Sequence, residues 1–231
     1  MHRFVWDVDG EARALSRAAD VIVPFSFTHE YQDAVTVTAY PQLEEIARRF
    51  LSVCGSDPTA DTALAYLFRA LAPYMREWGY AEDHHNDRWG YILRQTAAPA
   101  NLIAHATPLT AADQARNLTT YKLNEILTDG RLAFGVKENG MVVSVALTHQ
   151  STQNADSVEI GVETAVGARQ KGYATASLVA LGGALWECGI RAEYRCGRDN
   201  VASYRVARAA GFTEIGKFYR YIGRRVSKNG L

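Results

Sequence analysis

The sequence predicts an α/β protein of the α+β kind, a mixed sheet with flanking helices joined to a helix-rich N-terminal region. Three observations carry this. The strand-like run Val158-Glu159-Ile160-Gly161-Val162-Glu163 leads through a basic glycine loop, Arg169-Gln170-Lys171-Gly172-Tyr173-Ala174, into an apolar helical stretch that reaches Leu185. A strand-helix-strand order places the next strand, residues 190–196, parallel to the first. The second observation is Glu138-Asn139-Gly140 between the apolar runs 132–137 and 141–148, which predicts an antiparallel hairpin. The third is a pair of N-terminal stretches, 41–54 and 61–78, whose apolar residues recur at helical spacing.

In chain order, Val21-Ile22-Val23-Pro24-Phe25 and residues 34–40 read as short strands, the second alternating and β-branched. Pro41 opens a helix whose face holds Leu43, Ile46, Ala47, Phe50, Leu51 and Cys54, stopped by Gly55-Ser56-Asp57-Pro58. From Asp61 a second helix carries Leu64, Leu67, Phe68, Leu71, Met75 and Trp78 as far as Gly79. The two faces need burial on each other or on a neighbour. Glu82-Asp83-His84-His85-Asn86-Asp87 has ligand-type residues, but adjacent histidines point apart and the run follows a helix stop, so a solvated loop is expected and no metal site. Residues 96–100 then connect to the next unit. Residues 102–106 suggest a strand, and Thr110 is an expected N-cap with Asp113 in the first turn of a helix bearing Leu118, Tyr121, Leu123, Ile126 and Leu127. After the hairpin and the Val158 strand come the glycine-loop helix with its stop at Gly189, the strand 190–196, a helix from Asn200 to Gly211, and a strand-rich segment, 215–222. The expected division is 1–99 and 100–231.

Composition narrows the function. The 231 residues are 48% hydrophobic, with Lys plus Arg and Asp plus Glu balanced at 25 each, so neither nucleic acid nor an anionic membrane is an expected partner. Cys54, Cys188 and Cys196 are odd in number and scattered without zinc spacing, which fits a reducing compartment. The first residues meet acid before any long apolar run, and no stretch approaches a membrane span. A cytoplasmic protein is expected.

The glycine loop suits a phosphate. A helix start exposes N–H groups without intrahelical partners and carries partial positive charge, Arg169 and Lys171 add full charges, and Gly172 lets an anion approach the backbone. Gly167 and Gly172 have P-loop spacing, but Tyr173 and Ala174 stand where that motif needs Lys and Ser or Thr, and no G-x-G-x-x-G occurs. The pattern R-x-x-G-x-A after a strand, together with Asn200-Val201-Ala202-Ser203 opening a helix that ends in Gly211-Phe212, resembles the two signatures of the GNAT superfamily of acyl-CoA-dependent N-acyltransferases. That resemblance implies a mixed, mostly antiparallel sheet in which the two central parallel strands splay apart and hold the pantetheine arm. Whether the family's first strand and helix come from residues 102–127 or from the early pair at 34–54 is open in the sequence.

The resemblance also implies acetyl-CoA as co-substrate and an amine-bearing small molecule or peptide as acceptor, with direct transfer and a homodimer left open. Cofactor-binding positions carried over are Thr164 and Val166, whose backbone would pair with pantetheine, the loop Arg169, Gln170, Lys171, Gly172, Tyr173, Ala174 and Thr175, and Asn200 with Ser203. The family often has V-x-P before its loop; Thr164-Ala165-Val166 stands there instead, which leaves a backbone role intact. An amine must lose a proton before it attacks, and Glu159 and Glu163, two apart in the strand's period, share a face and are the catalytic candidates, with Glu193 a third. A tyrosine that many relatives carry four residues before Gly-Phe is Ala207 here, so no general acid is assigned. A non-catalytic acyl-CoA-binding module, or an interaction role of antitoxin type for the N-terminal helices, is the alternative reading. Thiol release in the presence of amines separates them.

Overall fold

A computed structural model describes residues 2–16, 18–31, 35–82, 89–99, 106–119, 127, 130–153 and 155–226. Its early elements are β1 (Arg3–Trp6), α1 (Val8–Leu15), β2 (Val21–Glu30), β3 (Thr36–Ala39), α2 (Glu44–Val53) behind the 3₁₀ turn Pro41–Leu43, and α3 (Asp61–Trp78). Then follow β4 (Tyr80–Glu82), β5 (Trp89–Gln95), β6 (Thr107–Pro108), β7 (Ala133–Glu138), β8 (Met141–Thr148) and β9 (Ser157–Thr164). The last are α4 (Tyr173–Glu187), β10 (Arg191–Gly197), α5 (Val201–Ala209) and β11 (Phe212–Arg225). The chain divides into two compact units, one of Met1–Tyr91, Gly197–Asp199 and Gly216–Leu231, the other of Ile92–Cys196 and Asn200–Ile215.

In the first unit the strands lie in the order β1-β3-β2-β11, with β4 also on β11. β1 runs parallel to β3 and the other pairs are antiparallel. The core is aromatic: Phe25 meets Phe50 edge-on at 5.5 Å, and Phe27 stacks on Tyr219 at 5.4 Å. The expected helices are present, α3 from Asp61 to Trp78 and α2 with its turn from Pro41, and their apolar faces bury Leu43, Phe50, Leu67 and Leu71. Burying side chains of this kind stabilises by about 1.5–3 kcal/mol each, which is what overrides the weak local preference of short strands here. β2 extends five residues beyond the expected run, to Glu30. β1, α1 and β4 are short elements without a pattern of their own in the sequence.

In the second unit the order is β5-β10-β9-β8-β7-β6, antiparallel from β9 to β6 and parallel between β9 and β10. The sheet is therefore mixed and mostly antiparallel. Asn139 and Gly140 at φ 51 and 77 close the β7–β8 hairpin as a type I′ turn, which matches strand twist. α4 packs through Leu178, Leu181 and Leu185, all fully buried. Its Ser177 hydroxyl donates to Ser144 of β8 at 3.3 Å, and Ser144 meets Thr164 of β9 at 2.8 Å, so a buried hydroxyl chain fixes the helix start over the end of β9.

One expectation changes. The helix anticipated from Thr110 is not formed over residues 110–119, which hold turns. The Thr110 amide donates to Asp113 Oδ2 at 2.8 Å, Asp113 also pairs with Lys137, and the backbone of Gln114 and Arg116 bonds Val142 of β8. Bonds to the sheet take the place of helical ones. The rest of that helix, 120–126, the strand at 102–105 and most of the polar run 82–87 lie outside the described residues. β5 was missed because Gly90 and the adjoining polar run mask a short apolar stretch without clean alternation.

Candidate active site

β9 and β10 pair only from Ser157 opposite Arg191 to Ile160 opposite Tyr194, although β9 continues to Thr164 and β10 to Gly197. Beyond that point β9 keeps its ladder to β8, ending with Thr164 opposite Ser144. Its other edge is left without a strand partner in the described residues, and an extended chain could add there. A cleft of ≈ 590 Å³ opens at the divergence.

Both helix starts of this unit face the cleft. Gly172 is the N-cap of α4 at φ 78, a left-handed value that glycine adopts without strain, and no side chain caps the first-turn amides. A Cβ built on Gly172 meets nothing within 4 Å, so space for a ligand lies beside it. Gln170, at φ 62, helps bend the loop. At α5 the cap is a side chain: Asn200 Oδ1 accepts the Ser203 amide at 3.1 Å. Uncapped amides, a dipole end and the Arg169 guanidinium suit a pyrophosphate, so the residues present fit an acyl-CoA.

Of the expected cofactor positions, Thr164, Arg169, Gln170 and Gly172 line the cleft, as do Tyr173, Ala174 and Thr175 on α4 and Asn200 and Ser203 on α5. Arg169 Nε donates to the Thr164 carbonyl at 3.2 Å, which ties the loop to the end of β9. Val166 and Lys171 do not line it. Val166 sits in a 3₁₀ turn and is 74% exposed. Lys171 Nζ is 2.8 Å from Glu138 Oε1, the oxygen that also accepts the Tyr173 hydroxyl at 2.8 Å. The Lys171 ammonium, then the Tyr173 hydroxyl, hold the Glu138 carboxyl below its usual range, and Glu138 in turn raises Lys171.

The two strand carboxylates have different surroundings. Glu163 lines the cleft, and its Oε1 accepts the Thr119 amide at 2.7 Å and the Thr119 hydroxyl at 3.0 Å. Glu159 lies four residues, about 13 Å, down the strand, where β10 is still paired. It does not line the cleft; its oxygens face His149 at 3.4 Å and Arg195 at 3.5 Å. Glu193, directly opposite in register, is held by Arg94 at 2.6 Å. Periodicity places both β9 carboxylates on one face; only the point where the strands part distinguishes them.

Sequence reasoning missed Thr119, Glu138 and Tyr194. Tyr194 lines the cleft with its hydroxyl 2.7 Å from Ser203 Oγ, and the alternation Ala192, Tyr194, Cys196 was the available signal for its inward position. Tyr204 turns its hydroxyl to Glu214 at 2.7 Å, and Ala207 is fully buried. Among the described residues no group of three His, Cys, Asp or Glu is placed to hold a metal ion, and no helix is long and apolar enough to cross a membrane.

A fold with a parted parallel pair and a glycine-loop helix start defines a class, and the sequence profile of the acetyltransferase (GNAT) domain matches residues 88–213, more than half of the chain. The chain belongs to the GNAT acetyltransferase family. It is similar in structure to a GNAT-family protein from Novosphingobium aromaticivorans, with 13% identity, 64% of this chain and 69% of that one covered, and a TM-score of 0.52. A GCN5-related N-acetyltransferase-like protein from Streptococcus suis is 15% identical over 91% of this chain and 86% of its own, with a TM-score of 0.49. A GCN5-related N-acetyltransferase from Kribbella flavida is 14% identical over 95% of each chain, with a TM-score of 0.47. The first of these speaks to fold alone. A comparison with curated proteins finds no match.

Proposed function

We propose that the protein transfers an acetyl group from acetyl-CoA to a primary amine of a small molecule or peptide, by direct attack within the cleft of the second unit. The observation that carries this reading is the parting of β9 and β10 after Ile160 and Tyr194, beside an uncapped helix start at Gly172. Thr164 and Val166 supply backbone for the pantetheine arm, and residues 169–175 hold the phosphate end, with Asn200 and Ser203 shaping the cofactor cleft at the start of α5. Lys171 joins them once it leaves Glu138. Glu163 accepts the ammonium proton, directly or through water, because it is the β9 carboxylate that faces the cleft. Its bonds from the Thr119 amide and hydroxyl orient the carboxylate at the cleft wall. Glu159, paired with Arg195 and His149, supports the strand instead.

We place the protein in the cytoplasm, in keeping with its free cysteines Cys54, Cys188 and Cys196, and residues 1–99 as an addition to the catalytic domain. The test is release of free thiol from acetyl-CoA against a mixed panel of small amines and peptides. Amine-dependent release supports the reading. Acetyl-CoA binding by calorimetry without any release would select a non-catalytic acyl-CoA module.

A further inference from the structure

β1 ends the strand order of the first unit, and among the described residues no strand pairs its outer edge. Its inner edge is laddered to β3. The Arg3 amide donates to the Val35 carbonyl at 3.1 Å and the Asp7 amide to the Ala39 carbonyl at 2.9 Å, in a parallel register that sets Phe4 opposite Val37 and Trp6 opposite Ala39. Backbone groups alternate in direction along a strand, so the amides and carbonyls of Phe4 and Trp6 point to the open side.

Native sheets blunt such an edge with proline, a bulge or a very short strand. β6, at the end of the second unit's order, has two residues, and one of them is Pro108. β1 has no proline and pairs β3 without a register shift. Phe4 and Trp6 stack at 5.5 Å, and the Arg48 guanidinium of α2 lies 5.0 Å over the Phe4 ring. A groove lined by His2, Phe4, Arg48, Leu51 and Ser52 opens beside them. Arg3 and Val5 take the opposite face of the strand and are exposed, Val5 to 39%.

We propose that this edge binds the same edge of a second copy of the chain, strand to antiparallel strand, about a two-fold axis at Val5. Hydrogen bonding and charge set the register. With Val5 facing its own counterpart, Phe4 of each copy exchanges amide and carbonyl bonds with Trp6 of the other, so the open backbone groups of both residues are paired. Arg3 of each copy then stands opposite Asp7 of the other. An axis at Phe4 would set Arg3 against Val5, and an axis at Trp6 would set Val5 against Asp7; only the Val5 axis matches opposite charges. Each Phe4 also lies beside the other copy's Trp6, which joins the two ring stacks into one apolar strip. Val8, 60% exposed at the start of α1, comes beside the other copy's His2 and its groove. A foreign strand would satisfy the backbone alone; the matched charges and the row of rings are what a second copy adds. The inference uses the first unit only and is independent of the acetyltransferase reading.

The experiment is sedimentation velocity of the full chain from about 1 to about 100 μM, with covalent trapping as its second arm. The wild type should pass from monomer to dimer as concentration rises. Val5→Lys sets like charges against each other at the axis and should weaken the dimer by about ten-fold or more; because Val5 is exposed the fold should survive, which circular dichroism checks. For trapping, Cys188, the exposed native thiol, is first replaced by serine. Facing residues of a non-hydrogen-bonded antiparallel pair have Cα atoms about 4.5 Å apart, within disulfide reach, so Val5→Cys should give a covalent dimer on mild oxidation. Arg3→Cys should not, because its counterpart lies about four residues, roughly 13 Å, along the strand. A wild type that stays monomeric throughout overturns the inference and leaves the edge to a strand of another protein. A dimer that Val5→Lys leaves intact overturns it too, as does oxidation that links Arg3→Cys as readily as Val5→Cys.

Discussion

The starts of α4 and α5 face one cleft, yet they are finished differently. α4 begins at Gly172, with no side chain on its first-turn amides, while α5 begins at Asn200, whose carbonyl oxygen already holds the Ser203 amide. An ordinary helix gains about 0.5–2 kcal/mol from a side-chain cap, so a helix start that forgoes one leaves donors available to something else. The pattern separates a start built for an anion from a start built for stability. α5 contributes position, through Ser203 and its contact with Tyr194; α4 contributes charge and open amides.

The largest effect that can break this comparison comes from Gly172→Glu. The new side chain would fill the open space beside the loop with negative charge, and acetyl-CoA affinity should fall by more than about a hundred-fold, through lost amide contacts and like-charge repulsion together. Backbone strain at φ 78 adds roughly 1–2 kcal/mol, so Gly172→Ala is the control: it bears the strain without the charge and should bind far better than the glutamate variant. Equal losses in the two would mean that loop shape, not anion binding, is what Gly172 serves. A folded Gly172→Glu protein with unchanged affinity would place the cradle elsewhere.

Next in size is the chemistry, which neither helix start performs. Glu163→Gln should lower kcat by about a hundred- to ten-thousand-fold with acetyl-CoA affinity nearly intact, and Glu159→Gln should change kcat by less than about ten-fold. Similar kcat losses in both would return the base to the shared-face argument and remove the distinction drawn from strand divergence. Asn200→Ala comes third. It should cost about 0.5–2 kcal/mol in unfolding free energy and only a few-fold in affinity, because its cap stabilises α5 rather than the ligand. A loss of affinity as large as that of Gly172→Glu would show that Asn200 holds the ligand itself and erase the contrast.

How much of this was legible in the sequence depended on whether a residue's role is local. The hairpin at Asn139-Gly140, both helix starts and the bounds of α3 rest on residues a few positions apart, and they read correctly. Glu159 and Glu163 looked equivalent because period-two alternation knows nothing of where a neighbouring strand departs; that point is set by long-range pairing of β9 with β10. Lys171 looked like a phosphate ligand for the same reason. Its partner Glu138 is 33 residues away on a hairpin tip, and no local pattern connects them. Thr110 shows the converse failure: a good N-cap residue opens no helix over residues 110–119, where the backbone bonds β8 instead.

Glu138 gives the smallest and most diagnostic change. Glu138→Gln would release the Lys171 ammonium and remove one negative charge beside the loop, so acetyl-CoA affinity should rise by about two- to five-fold and the gain should shrink in high salt. The pH dependence follows from the two shifts. Glu138 is held below its usual carboxyl value, so its contribution exists above that value and is lost as pH falls through the depressed one. Lys171 is held above its usual value, so its contribution is present below that value and is lost as pH rises through the raised one. Between about pH 6 and about pH 9 both are fully charged, and the difference between wild type and variant should therefore be flat there and vanish only in acid or strong base. Because both groups are solvent-exposed, the melting temperatures of the two proteins should agree within replicate scatter. Calorimetric titrations across that pH range check the affinity, and a fall in affinity for Glu138→Gln would mean that the Lys171–Glu138–Tyr173 contacts hold the loop in its binding shape, so that α4, like α5, depends on a side chain to finish its start.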